Sequence, residues 1–308
     1  MLTIRSFRNS DLPSLVAVWQ SYWNHCGCPA LVTASIIERA ILARTFFVSD
    51  QLLIAESDQQ VVGWCHIVET DGVVNSANLN GLCVMPEHSA AIAHLLGAAE
   101  SKAQSDGKKI LQAGILRDEV YGYAGLSPLG AGVGVCKVQA ALNEHLAARS
   151  YQAGLSLQQL TISTQNYRPP VNRQAMQLRR TTKRSIANKG PESTRIASAM
   201  SHLDVERHSL LAKSGEEKLA EVEVWFSDPE AEVMPPSQAI VNMNRCIAPD
   251  GLSPEQSYLM CELLESLNER HVISAEIVID ADKQIAIDQL VKLGFNATNS
   301  GGIWQKSL

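Results

Sequence analysis

One order of elements occurs twice along this chain, and that repetition constrains the fold more than any single motif. In the first half, Leu2-Thr3-Ile4-Arg5-Ser6-Phe7 alternates apolar and polar residues as a half-buried strand does. Asp11 followed by Leu12, Leu15, Val16 and Trp19 then opens an amphipathic helix, and a second helix is predicted from Thr33 to Ala43. The strands Gln51–Glu56 and Val61–Val68 flank the polar tetrapeptide Ser57-Asp58-Gln59-Gln60 and read as a hairpin. A strand at Ala77–Val84, a helix at Ser89–Asp106, a strand at Ile110–Leu116, a helix at Gln139–Ala148 and a strand at Leu155–Ser163 follow. The second half offers the hairpin Val205–Ala212 and Lys218–Phe226, the strand Ala239–Asn244, the helix Ser253–Glu269 and the strand Val272–Ile279. A helix at Ile285–Leu293 and a closing strand from Gly302 complete it. Hairpin, strand, helix, strand, helix and strand in the same order twice indicate an internal duplication.

With 308 residues the chain has room for two domains, and its 45% apolar and 19% charged residues allow a core and exclude a disordered polymer. The boundary is expected in the basic stretch 167–195, where eight cations from Arg168 to Arg195 face the single acid Glu192. Arg168-Pro169-Pro170 and Lys189-Gly190-Pro191 punctuate it. The expected division is 1–166, a basic connector 167–195, and 196–308. That stretch has one aromatic residue for base stacking, Tyr167, so nucleic acid is not expected as a partner. No apolar run reaches the length of a membrane span, and Arg5, Arg8 and Asp11 interrupt any secretory leader, so a cytoplasmic protein without membrane contact is expected. Seven scattered cysteines read as reduced thiols, and His25-Cys26-x-Cys28 lacks a second ligand pair, so no metal is expected.

Several passages in order carry a resemblance: LTIRSFRNSDLPSLVAVW, LLIAESDQQVVGWCHI, LNGLCVMPEHSAAIAHLLGAAESKAQSDG and AIDQLVKLGFNATNSGGIWQK. Together they resemble the GNAT superfamily of acyl-CoA-dependent N-acyltransferases, and the duplication resembles its tandem, two-domain members, mycothiol synthase among them. The resemblance implies an α/β (α+β) fold of two tandem domains, each a mixed, mostly antiparallel, splayed sheet flanked by helices. It further implies that acetyl-CoA lies along the fourth strand at Leu82, Cys83 and Val84, with its diphosphate on the amides at the start of the next helix. Those amides belong to Ser89, Ala90, Ala91, Ile92 and Ala93, with His88 beside them in place of the family's Arg or Gln. The first half lacks the family's loop glycines. In the second half, Ser253 with Gln256 forms a capping-box pattern behind Asp250, so the first half is expected to hold the coenzyme and the second to be a degenerate copy.

The family's proton-donating tyrosine falls at Leu146 and Leu290 here, which leaves Tyr121 and Tyr123, flanked by Gly122 and Gly125, as substitutes. For the base, His66 titrates in a useful range and follows Trp64 in a strand. The function expected is transfer of an acetyl group to the amine of a small molecule or peptide. The alternative is a catalytically silent GNAT-like binding or regulatory protein. A monomer or homodimer is expected.

Overall fold

The computed structural model describes residues 1–69, 75–115, 122–170, 173–188, 194–215, 217–243 and 247–308. They form two compact units: 1–156, 193–200 and 300–308 make the first, and 157–192 with 201–299 the second.

In the first unit, β1 (Leu2–Ser6) is followed by helix α1 (Leu12–His25) and by α2 (Ala34–Ile37), which the Thr33 hydroxyl caps by accepting from the Ile36 amide. The last turn of this segment, Glu38–Leu42, is wound as a π-helix. Strands β2 (Leu52–Ser57), β3 (Gln60–Glu69) and β4 (Ser76–Val84) extend β1 into an antiparallel meander. Helix α3 (Ala91–Ser105) returns the chain to β5 (Ile110–Ala113), which pairs parallel to β4. The short β6 (Val135–Cys136) and helix α4 (Ala140–Ala148) precede β7 (Gln152–Ser163). Strand β5 is shorter than its apolar run predicts, because Gly114 turns the backbone to a φ of 111° and lies so close to the Val135 amide that a Cβ there would meet it at 2.8 Å.

The second unit repeats the plan. Helix α5 (Arg173–Thr181) leads into β8 (Thr182–Asn188), and helix α6 (Thr194–Met200) belongs to the first unit, where Ala199 packs with Phe46 and Val68. Strands β9 (Leu203–Ala212), β10 (Lys218–Ser227) and β11 (Gln238–Asn242) continue from β8 as an antiparallel series. Helix α7 (Pro254–Glu269) crosses to β12 (Ser274–Asp280), parallel to β11, and α8 (Gln284–Lys292) leads to β13 (Asn296–Ser307). Each unit therefore has four antiparallel strands, a helical crossover and a parallel fifth strand. Within the stretch 167–195, expected as a connector, Arg173–Thr181 form α5 and Thr182–Asn188 form β8, which pairs with β9 in the second unit.

The halves exchange their last strands. Residues Leu157–Ser163 of β7 pair with β12 in the second unit, and Trp304–Ser307 of β13 pair with β5 in the first. The division at 166 and 196 thus differs from the spatial one, since an alternating strand of seven residues fits the edge of either sheet.

In the first unit α3 lays Leu95, Leu96 and Ala99 against Leu79, Leu82 and Val84. On the opposite face α1 places Trp19 over Trp64, ring centroids 5.7 Å apart and nearly parallel. Ending the chain at Asn299 removes β13, one of the two strands that flank β5. Hydrogen exchange should then show the amides of Ile110–Ala113 losing protection while those of β9 and β10 keep theirs; unchanged β5 protection would contradict the exchange.

Candidate functional site

Strand β4 carries an extra residue at its midpoint. His66 pairs with Gly81 and Ile67 with Leu79, so Asn80 is a bulge, and it lets both Leu79 and Leu82 face α3. The pairing of β4 with β5 runs from Ser76↔Ile110 to Leu79↔Ala113 and stops there. From Asn80 to Val84, among the described residues, β4 has no strand on that side. The sheet parts at the bulge.

Four polar side chains collect at this place, all buried: His66, Asn78, Asn80 and Tyr123. His66 lies on the β3 face that carries Trp64, and Asn78 faces Val68 across the β3–β4 register. His66 Nδ1 and Tyr123 Oη are 3.0 Å apart, and Asn78 Nδ2 donates to Asn80 Oδ1 at 2.7 Å. A Cβ built on Gly81 would lie 3.0 Å from the Trp64 ring and 3.2 Å from Tyr123 Oη, so a larger residue would crowd both side chains against β4. The wall is aromatic: Trp19 stacks on both Trp64 and Tyr123, and Trp64 Nε1 donates to the Leu15 carbonyl at 3.3 Å. Such ring pairs add about 0.5–1.5 kcal/mol each beyond the area they bury.

Burial sets the charge state. Desolvation pulls His66 down to about 3 and pushes the Tyr123 phenol well above its ordinary value, so the pair is neutral at physiological pH. A neutral imidazole this weakly basic orients a hydroxyl better than it removes a proton. Tyr121 lies outside the described residues. The positions where the family's tyrosine would stand, Leu146 and Leu290, are buried in the apolar cores.

The expected coenzyme residues divide by role. Leu82 and Val84 point into the α3 core, and Cys83 is a buried thiol pushed up by desolvation on the strand opposite Trp64. At the helix start Ser89 and Ala90 are exposed, His88 and Ala93 half-buried, and Ala91 and Ile92 buried. No side chain caps α3 at Ala90. His94, which the sequence reading missed, is exposed on the first turn with Nδ1 3.2 Å from the Ala90 carbonyl. Its spacing of four from Ala90 was the available signal.

The equivalent start of α7 is closed. Ser253 Oγ accepts from the Gln256 amide, Gln256 Oε1 accepts from the Ser253 amide, and Gln289 Oε1 accepts from the Leu252 amide. Pro254 has no amide hydrogen to offer. Among the described residues no helix is long and apolar enough to cross a membrane, and no three His, Cys, Asp or Glu side chains gather as metal ligands.

Because the folded value of His66 lies below that of an unfolded imidazole, its protonation opposes folding. Stability from this residue is complete above about pH 6.5 and is lost as pH falls toward 3. By about pH 4.5 the loss should be roughly 2–3 kcal/mol. His66→Gln should flatten the fall in Tm between neutral pH and that point; parallel curves for the two proteins would show that His66 is not held neutral.

No protein-family model matches the sequence, and no curated protein is similar to it. Solved structures do match. A fungal GCN5-related glucosamine N-acetyltransferase region of a multi-domain GH3 beta-N-acetylglucosaminidase aligns over 99% of this chain at TM-score 0.70 and 13% identity. This chain spans 38% of that protein. A GCN5-related N-acetyltransferase from Sphaerobacter thermophilus aligns at TM-score 0.66 and 10% identity, over 99% of this chain and 95% of its own. A tandem GNAT protein from the clavulanic acid biosynthesis pathway aligns at 0.63 and 14%, over 100% and 98%. From end to end, the chain has the fold of the GNAT acetyltransferases.

Proposed function

We propose that the chain is an acyl-CoA-dependent N-acetyltransferase whose first unit holds acetyl-CoA and whose acceptor is the amine of a small molecule or peptide. The observation that carries this reading is the contrast between the two helix starts. The start of α3 has no side-chain cap, has exposed residues at Ser89 and Ala90, and follows the end of β4 that, among the described residues, has no strand on its β5 side. The first turn of α7 has its amides taken by Gln256, Ser253 and Gln289.

In this reading the amides from Ser89 to Ala93 and the His88 side chain hold the diphosphate, helped by the positive end of the helix. Alanines here put no side-chain acceptor on these amides, of which that of Ile92 donates to the Ser89 carbonyl at 3.1 Å. The backbone of Leu82, Cys83 and Val84 lines the pantetheine arm. Tyr123 donates its hydroxyl hydrogen toward the sulfur that leaves, and His66 positions it. A protein with these features acts mainly by holding the reactants together, a contribution that reaches about 7–11 kcal/mol in well-oriented systems.

The second reading, a silent GNAT-like binding protein, draws on the complete burial of His66 and Tyr123 and on the closed start of α7. Calorimetry with acetyl-CoA separates the two: micromolar affinity supports transfer, and no heat at millimolar coenzyme supports the silent protein. Ser89→Glu, at an exposed position, should weaken coenzyme affinity about tenfold or more by setting a carboxylate beside the diphosphate. An unchanged affinity would place the coenzyme elsewhere. Tyr123→Phe should lower kcat at least about tenfold with the KM for coenzyme unchanged, as loss of a proton donor does.

A further inference from the structure

The Asn78–Asn80 pair at the β4 bulge is incompletely bonded. Both side chains are buried, at 1% and 2% exposure, and they are joined by one hydrogen bond of 2.7 Å. Asn78 Oδ1 and Asn80 Nδ2 have no partner among the described residues. Whichever way the two amides are turned, a pair bonded once to each other leaves one carbonyl oxygen and one amino group unbonded. An orphaned buried polar group is costly, so two of them together on a strand are a feature with a use.

Resting on the acetyltransferase reading, we propose that Asn78 and Asn80 read the acceptor, and that the acceptor is an α-amino carbonyl compound, an amino-acid amide or a peptide N-terminus. The free carbonyl oxygen accepts from the amine, and the free amino group donates to the carbonyl of the same molecule. A simple alkylamine fills the first bond and leaves the second group buried and unpaired, which is how a polar site rejects an isostere. The position agrees with this assignment, because the bulge stands where β4 loses β5 and beside Tyr123 and His66. Of the four side chains, Tyr123 alone is carried on a loop, between Gly122 and Gly125 at φ of 86° and 76°.

Glycinamide and isobutylamine are isosteric probes for this site. Ligand-observed NMR with the full chain should give glycinamide at least tenfold tighter binding than isobutylamine, and the ratio should fall to near one in the Asn78→Leu/Asn80→Leu variant. That variant should also melt at or above the wild-type temperature, since it removes two unpaired groups from the core. If it does not fold, Asn80→Asp serves instead: its carboxylate cannot donate to the carbonyl, and the preference for glycinamide should be lost. A ratio near one in the wild type, or one unchanged in the variants, overturns the proposal. Calorimetry with acetyl-CoA distinguishes the two failures. Coenzyme binding with a ratio near one leaves the transferase standing and removes the acceptor assignment, whereas a ratio of ten or more without coenzyme binding leaves the amino-carbonyl site standing and removes the transferase.

Discussion

Strand β4 has β5 beside it for four residues and then continues, among the described residues, with no strand on that side. Main-chain hydrogen-bonding groups buried without partners are costly, so a strand that loses its neighbour in the interior must meet something else there. The bulge at Asn80 sits at that parting, and His66, Asn78, Asn80 and Tyr123 are drawn to it. An antiparallel meander crossed once by a helix produces such a place wherever the crossover strand is shorter than the strand it joins. Here Gly114 sets that length by turning the chain away after Ala113.

The two units share this plan and differ in electrostatics. Helix starts present unpaired amides and a positive partial charge, and what the sequence puts beside them decides whether an anion is welcome. At the start of α3, alanines put no side-chain cap on that end. At the start of α7, a serine, a proline and two glutamines consume or remove the same donors. Two copies of one topology can therefore diverge in use without any change in strand order.

The exchange of β7 and β13 binds the two halves of the sequence into one folding problem. The sheet of the first unit is completed by residues near the end of the chain, Trp304–Ser307, so its last pairing joins segments almost two hundred residues apart. Contacts of that separation carry a large loop-closure cost before they are rewarded, and they slow folding. The basic segment takes part as well, because α5 and β8 supply an edge strand of the second sheet and α6 returns to pack on the first unit.

Alternation and helical periodicity are local, and they were enough to read the hairpin around Asp58, the crossover helices α3 and α7, and the duplication, together with the Ser253–Gln256 cap. Tyr123 and His66 could each be picked out by residue type. Their hydrogen bond could not, since it spans 57 residues and depends on where a loop folds back. The edge that each closing strand joins, the formation of α5 and β8 and the complete burial of His66 were likewise settled by tertiary packing. An alternating strand suits any open edge, a run of arginines suits a linker or the outer face of a helix, and a histidine in a strand does not reveal how many rings will cover it. Pattern along the chain determines which elements form and which face is apolar; the neighbour each element finds, and the polarity it finds there, exist only once distant segments have met.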